Sequence, residues 1–451
     1  MVITQINNIW AKCDPQSINH LRDFLSYEAE YWIQGPWGKQ RKKYTKHLVG
    51  KTNGAFFAGF IPMVIEKFPD AELRFRHDNL LYKTKTISEL GNKKLRPYQI
   101  NMVEDALKIG RGVLKAPTGA GKTLIEGAVI ASMTNNIRVL VIVHTKTLLV
   151  QIRNELAVMF KQPIGIIGDG KKNWLPITVG MIQTLSRMPN SELKQKKIDI
   201  IIVDECHHCK AQSYSNVLTN IDAPFRFGFS ATPKERKDDE AGYMIVTGLL
   251  GDIISEATYK DVEDYLAIPK VKFLTYYTNW GLENLSWRSV YKLGIEISNN
   301  RNNLIYKTAM EHRDKSVLIL LKTLRHGFSL EALFKDNDIP ITFVKGEDDT
   351  ASREKAKRVL KNKGIVIATS VFGEGVDIPS LDVIINAGAG LSRIQTVQRA
   401  GRALRKIEGK TEGIIIDFMD EGNKYLTKHS KARYETYLEL GWIKEEEDAK
   451  A

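Results

Sequence analysis

The chain of 451 residues holds only three cysteines, Cys13, Cys206 and Cys209, too few and too scattered for a disulfide framework. That scarcity points to a reducing, intracellular setting, so a cytoplasmic location is expected. No apolar run reaches the ~18 residues expected of a membrane-spanning helix, and no membrane association is expected. The opening segment, Met1-Val-Ile-Thr-Gln-Ile-Asn-Asn8, lacks the basic start and apolar stretch of a signal peptide. Acidic residues are in deficit: 53 Asp and Glu stand against 66 Lys and Arg, a net charge of +13. A basic excess suits a polyanionic partner, but on its own it is a weak indicator, because solvated basic surfaces are common.

The length exceeds one ordinary core, and the texture of the sequence divides it. Residues 1–85 form a small basic α+β module. In it, Leu21-Arg-Asp-Phe-Leu-Ser-Tyr-Glu-Ala-Glu-Tyr31 has helical spacing and should end at the breaker Gly35-Pro-Trp-Gly38. Next come five cations in a short basic sheet or hairpin: Lys39, Arg41, Lys42, Lys43 and Lys46. A second helix is expected from Ile61 to Phe68. From about Leu90, short β-branched runs alternate with amphipathic stretches. The first series of expected strands is Gly112–Lys115, Val139–His144, Ile198–Val203 and Arg226–Phe229. The second is Ser316–Leu321, Ile341–Val344, Gly364–Ala368, Leu381–Ile385 and Gly413–Asp417. Such alternation implies parallel sheets covered by helices on both faces. Two α/β domains, 86–266 and 267–443, are expected to join near Asp264 to Pro269, with a charged tail at 444–451.

Ala116-Pro-Thr-Gly-Ala-Gly-Lys-Thr123 lies between an expected strand and an expected helix, the context of a phosphate-cradling loop. Its first position departs from the usual glycine, which Ala116 can replace if its φ stays negative. Pro117, Thr118, Gly119, Ala120 and Gly121 would wrap the phosphates, the glycines avoiding Cβ clashes. The helix that follows points N–H groups at the anion. Lys122 would reach the outer phosphates of ATP, and Thr123 would ligate Mg2+. Further on, Ile200-Ile-Ile-Val203 delivers Asp204 and Glu205 to a strand end. Asp204 would hold Mg2+, and Glu205 would polarise an attacking water. Cys206-His-His-Cys209 offers four potential metal ligands too close together to close a tetrahedron. The cysteines are therefore expected to be packing residues, and His207 is expected to hydrogen-bond across a domain cleft.

Other segments, in order, make the chain resemble superfamily 2 helicases and translocases over about Leu95 to Phe418. They are Leu95-Arg-Pro-Tyr-Gln99, Thr145-Lys-Thr147, Gln183-Thr-Leu185, Ser230-Ala-Thr232, Thr369-Ser-Val-Phe-Gly-Glu-Gly-Val-Asp377 and Gln398-Arg-Ala-Gly-Arg-Ala-Leu-Arg405. The resemblance implies two tandem RecA-like parallel-sheet domains behind the leading α+β module. It implies that Gln99 reads adenine, with Tyr98 nearby and Gly375 and Asp377 in the nucleotide site. Thr145, Lys146, Gln183, Thr184 and Thr369 would contact nucleic acid, while His207, Ser230 and Thr232 couple hydrolysis to movement. Arg402 and Arg405 would act as arginine fingers and Gln398 would orient water; Arg399 is left between a catalytic and a structural role.

Asp-Glu-Cys-His in the second motif and a leading Gln in the sixth differ from the DEAD-box RNA group. They resemble DNA translocases such as the restriction motors, the XPB-type helicases and the UvsW-type phage helicases. The leading module resembles the last of these, which implies a helicase acting on branched DNA with 3′ to 5′ movement, in the host cytoplasm if phage-encoded. Such resemblance also implies a monomer or weak oligomer. Lys39, Arg41, Lys42, Lys43 and Lys46 would bind phosphate, and Trp32, Trp37 and Tyr44 could stack on an unpaired base or sit in the module's core. An RNA helicase, or a translocase subunit serving a nuclease or remodelling partner, stands as the alternative.

Overall fold

The computed structural model describes residues 1–35, 38–75, 84–133, 136–234, 239–278, 282, 285–346, 348, 350–369, 381–391, 401, 404 and 410–444. The chain divides into two compact units: Met1–Ala116 with Gly121–Ala257, and Thr258–Ala451 with Pro117–Ala120.

The first unit begins with β1 (Val2–Gln5), β2 (Trp10–Cys13), α1 (Ile18–Phe24), β3 (Ser26–Gly35), β4 (Gly38–His47), β5 (Ala55–Phe57), α2 (Ile61–Lys67) and β6 (Glu72–Phe75). Four of these strands form a sheet in the order β5-β2-β1-β6 over a core that includes Ile3, Ala11, Leu21, Phe56, Phe60 and Val64. The helix expected from Leu21 to Tyr31 is corrected: it stops at Phe24, and β3 begins two residues later. Tyr27, Ala29, Tyr31 and Ile33 alternate with Glu28, Glu30 and Gln34, a period of two that suits a strand. β3 pairs antiparallel with β4 from Ser26↔His47 to Gly35↔Gly38, so the two strands form a hairpin.

The remainder of this unit contains α3 (Pro97–Ile109), β7 (Arg111–Lys115), α4 (Lys122–Ala131), β8 (Val139–Val143), α5 (Lys146–Phe160), β9 (Gly165–Gly168), β10 (Lys171–Asn173), β11 (Ile177–Met181), β12 (Ile200–Asp204), β13 (Phe225–Ser230), α6 (Glu240–Leu250) and β14 (Ile253–Glu256). The eight strands order as β10-β9-β11-β8-β12-β13-β7-β14, and every pairing is parallel except β9 with β10. The central strand β8 is apolar throughout and β12 is apolar up to its last residue, Asp204, as burial on both faces requires. The leading module packs on this half through α6. Met244 of α6 joins the module's core. A Cβ on Gly59 would collide with the carbonyl oxygens of Thr247 and Gly248, and Gly248 lies under Phe57 and Phe60. Arg111 Nη1 donates to Asn8 O at 3.1 Å, and Asn8 N donates to Asp222 Oδ1 at 2.9 Å.

The second unit contains β15 (Ile268–Tyr277), α7 (Trp287–Tyr291), α8 (Asn299–Glu311), β16 (Val317–Leu321), α9 (Leu324–Asp336), β17 (Thr342–Val344), α10 (Thr350–Lys361), β18 (Ile365–Thr369), β19 (Val383–Asn386), β20 (Glu412–Glu421) and α11 (Lys424–Glu439). Its six strands, β15-β20-β19-β16-β18-β17, are all parallel. Trp287 packs into a core with Val290, Ile295 and Leu426. No helix among the described residues is long and apolar enough to cross a membrane.

The contact at Gly59 yields a stability prediction. Gly59→Ala forces the module away from α6, and we expect a loss of about 1–3 kcal/mol in urea unfolding followed by circular dichroism. An unchanged midpoint would refute the close packing.

Candidate functional site

Three neighbouring parallel strands place the site. β7 ends at Lys115, which is in register with Ser230 of β13, and Phe229 of β13 is in register with Asp204 of β12. Parallel strands end on the same edge, where open α/β sheets bind ligands. Ala116, Ser230 and Asp204 therefore emerge side by side, and Ala116 N donates to Ser230 O at 3.1 Å. Ala116 lies outside the left-handed region, so its methyl is accommodated. Gly119 and Gly121 have φ of 89° and 77°. Those values turn the loop back onto α4, whose first residue is Lys122. Ala120 N closes the loop onto Pro117 O at 3.1 Å. Thr118 is half-buried in it, and Thr123 is half-buried in the first turn of α4.

Lys122 Nζ lies 3.5 Å from Glu205 Oε1, both side chains only 14% exposed. Glu205 sits at a φ of 50°, uncommon for a residue with a Cβ. Burial, then the neighbouring Glu205, lifts Asp204 to about 7, while Lys122 and His144 oppose this. Burial also acts to raise Glu205, but Lys122, His207 and His144 outweigh it and hold that carboxyl below its ordinary value. A third carboxyl, Glu126 of α4, is buried, and its titration is raised well above normal by burial and Asp204. Its Oε2 has no hydrogen-bond partner. The carboxylates thus outnumber the nearby cations, a donor set that fits a divalent ion, with Thr123 and Asp204 as the residues that would hold it. The positive-φ loop and Lys122 fit a triphosphate.

His207, expected to hydrogen-bond across a domain cleft, is 6% exposed and bonds Ser230 Oγ at 3.1 Å within the first unit, with Glu205 Oε2 at 3.4 Å. Ser230 Oγ also accepts from Thr232 N at 3.1 Å. One hydroxyl therefore links Asp204-Glu205-Cys-His207 to Ser230-Ala-Thr232. Cys206 and Cys209 lie in the apolar core beneath. Gln99, expected to read adenine, is 1% exposed, and its Oε1 accepts from Arg96 N at 2.9 Å, capping α3. Its amide nitrogen abuts Gly121, so the side chain braces the phosphate loop. Tyr98 takes a 3.0 Å hydrogen bond from Arg96 Nη1.

The expected strand-contacting residues cluster at the same sheet edge. Thr145 caps α5 by accepting from Leu148 N, Lys146 pairs with Asp169 at 2.5 Å, and Gln183 Nε2 donates to His144 O at 2.9 Å. Thr184 is half-buried, its Oγ1 3.7 Å from where a Cβ on Gly168 would lie. In the second unit, Thr369 ends β18 with a buried hydroxyl that has no hydrogen-bond partner. Gly375, Asp377, Gln398, Arg399, Arg402 and Arg405 lie outside the described residues, as do Trp37 and the side chains of Trp32 and Lys39.

The β3–β4 hairpin is two-faced. On one face Arg41 pairs with Glu30, and Lys43 pairs with Glu28 at 2.9 Å. The register puts Lys42 opposite Tyr31, Tyr44 opposite Ala29 and Lys46 opposite Tyr27 on the other. There Tyr31 and Tyr44 are each 46% exposed and meet edge to face at 5.6 Å. Of the four described cations among the five expected to act together, Arg41 and Lys43 are held in ion pairs. The sequence reading missed Tyr31 and Glu126. Period-two alternation could have flagged the first; the second lies one helical turn beyond Lys122.

Residues 92–235 match the family described as type III restriction enzyme, res subunit, and residues 300–406 match the helicase conserved C-terminal domain. The chain is 28% identical to the ATP-dependent DNA helicase uvsW of Enterobacteria phage T4, over 94% of this chain and 91% of that protein. It is 24% identical to the DNA 3'-5' translocase XPB2 of Sulfurisphaera tokodaii, over 73% and 82%. Among solved structures, the ATP-dependent Type ISP restriction-modification enzyme LlaBIII bound to DNA shares the fold with a TM-score of 0.60 at 18% identity, covering 85% of this chain and 33% of that one.

The elevated Asp204 carboxyl gives a pH prediction. Its proton must leave before the oxygen can ligate a cation, so Mg2+ affinity should rise about tenfold per pH unit below about pH 7 and level off above it. Calorimetric Mg2+ titration with a non-hydrolysable ATP analogue reads this directly, and an affinity flat from about pH 6 to about pH 8 would contradict it.

Proposed function

This chain is a superfamily 2 helicase with two RecA-like domains, and from that premise we propose that it uses ATP to move along DNA and remodel branched structures. Holliday junctions, forks, D-loops and R-loops are its proposed substrates, in recombination, replication and repair, with 3′ to 5′ movement. The observation that carries the catalytic part is the half-buried Lys122–Glu205 pair beside Asp204, at the edge shared by β7, β13 and β12. Lys122 would hold the transferring phosphate, and Thr123 and Asp204 would hold Mg2+, which would screen the phosphate charge. Glu205, kept ionised by Lys122 and His207, accepts the proton of the attacking water. Arg402 and Arg405 supply cations for the charge that develops on the phosphoryl group, with Gln398 orienting water. Ser230 joins Glu205 and His207 to Thr232, a route by which loss of the phosphate alters the strand-binding loops.

DNA is preferred over RNA because the relative matched over 94% of this chain carries DNA in its name, as does the XPB2 translocase, while a relative named as an RNA helicase matches over 75%. The branched-DNA reading draws on the leading hairpin. Its Tyr31, Lys42, Tyr44 and Lys46 face combines cations for phosphate with aromatic rings for an unpaired base. A compact motor with this one module needs no stable self-association, so a monomer or weak oligomer is proposed.

Glu205→Gln should lower nucleic-acid-stimulated ATP turnover by about 100-fold or more, measured by phosphate release. Retained turnover would remove Glu205 from the chemistry. With labelled Holliday junction, fork, tailed duplex and RNA duplex in a gel assay, junctions and forks should be resolved fastest. Equal rates on tailed duplex would end the branch-specific reading, and faster RNA unwinding would favour the RNA alternative. Lys42→Glu with Lys46→Glu should weaken junction binding and reduce its salt slope by about two, while basal ATP turnover persists.

A further inference from the structure

The residues that follow β19, Ala387-Gly-Ala-Gly390, are gripped by side chains from three helices. Arg301 of α8 donates Nη1 to the Ala387 carbonyl at 3.0 Å. Tyr291 of α7 donates its hydroxyl to the Gly388 carbonyl at 2.9 Å. Arg433 of α11 donates Nη1 to the Gly390 carbonyl at 3.0 Å. The His429 ring of α11 faces the remaining carbonyl, that of Ala389. Ala389 has a φ of 44°, a conformation that persists only where surrounding contacts enforce it.

The other donors of both guanidinium groups are also engaged. Arg301 forks onto Asp420 at 2.7 and 3.2 Å. Arg433 donates to Asp417 Oδ1 at 2.9 Å and to the Phe418 carbonyl at 2.8 Å. Asp417 Oδ2 accepts from Asn386 and Tyr437 at 2.8 and 3.1 Å. Arg301, Arg433, Asp417 and Asp420 are buried to within 1%. Buried ion pairs of this kind roughly break even against apolar side chains of equal volume, so stability alone does not account for them. An apolar replacement would fill the space but could not hold a carbonyl.

The chain leaves this turn at Leu391 and then carries Gln398, Arg402 and Arg405 before it returns as β20. Leu404, between the two arginines, is buried, and its carbonyl accepts from Ala267 N at 2.7 Å. The segment is therefore tied at its root and again inside the sixth motif. We infer that Tyr291, Arg301 and Arg433 are positioning residues for ATP hydrolysis, because their grip on Ala387–Gly390 fixes where the arginine-bearing segment starts. The inference rests on Arg402 and Arg405 acting on the phosphoryl group. Small displacements of such groups cost rate and leave ground-state binding alone, so the grip sets kcat and not the KM for ATP.

Tyr291→Phe deletes one oxygen and keeps the ring, so folding should survive; Arg433→Lys keeps the charge near Asp417 and loses the fork. For each, DNA-stimulated kcat and KM, the thermal melt and amide exchange across 387–405 are measured. We expect kcat to fall about fivefold to tenfold with KM within about twofold, and exchange at 387–391 to speed up. A Tyr291→Phe protein with full kcat, or with a raised KM at unchanged kcat, overturns the inference. Should Arg433→Lys fail to fold, Tyr291→Phe decides alone. Arg402→Ala tests the underlying reading separately. Intact turnover in Arg402→Ala refutes the arginine-finger assignment itself, whereas lost turnover there beside full kcat in Tyr291→Phe refutes only the grip.

Discussion

Two buried carboxyl groups, Glu126 and Asp204, and the half-buried Glu205 crowd together near the ammonium of Lys122. Such crowding is unfavourable unless a cation or a proton relieves it. Much of the first unit can be understood as the means of sustaining it. The parallel order of β12, β13 and β7 brings the groups to one edge, and apolar residues seal that edge from below. Gly119 and Gly121 bend the backbone so that Lys122 can reach Glu205. His207 and Ser230 then tie Glu205 to the end of the neighbouring strand. Such unrelieved charge suits the proposed metal–triphosphate, whose binding would remove the repulsion that the folded chain otherwise bears.

The motor was legible wherever chemistry is local in sequence. A glycine-bearing loop between a strand and a helix, and two acids after an apolar run, could be placed from neighbouring residues alone. The central strands were found within a residue or two because burial on both faces makes them almost wholly apolar. Short strands such as Gly165–Gly168 escaped notice because glycine at both ends leaves little pattern. Ser26–Gly35 was mistaken in part for a helix because Leu21, Phe24, Leu25 and Tyr31 also satisfy a helical period. The hydrogen bonds of Gln99 to Arg96 and of His207 to Ser230 were not legible, since spacing does not say which atom fills a hydrogen bond. The Arg301–Asp420 and Arg433–Asp417 pairs had no sequence signal: the first joins residues 119 positions apart, and the second, 16 apart, joins a strand to the following helix, where no periodic spacing applies.

The leading module and the following α/β sheet share a continuous apolar seam at α6, where two glycines let backbone approach side chain and backbone. The base of the hairpin is therefore joined to the rest of the first unit by packed side chains, and α6 lies just beyond Ser230-Ala-Thr232 in the chain.

A ribbon of only two strands also leaves both outer edges with unpaired backbone groups, which is the surface on which extended segments of other molecules assemble into aggregates. The density of lysine and arginine on β4 opposes that growth by mutual repulsion between like-charged copies. The same charges that suit a polyanion thus double as protection of the free protein at high concentration. A version of the hairpin stripped of its cations would trade a solvated ribbon for a sticky one, so colloidal behaviour and nucleic-acid affinity are bound together in this element and cannot be tuned apart.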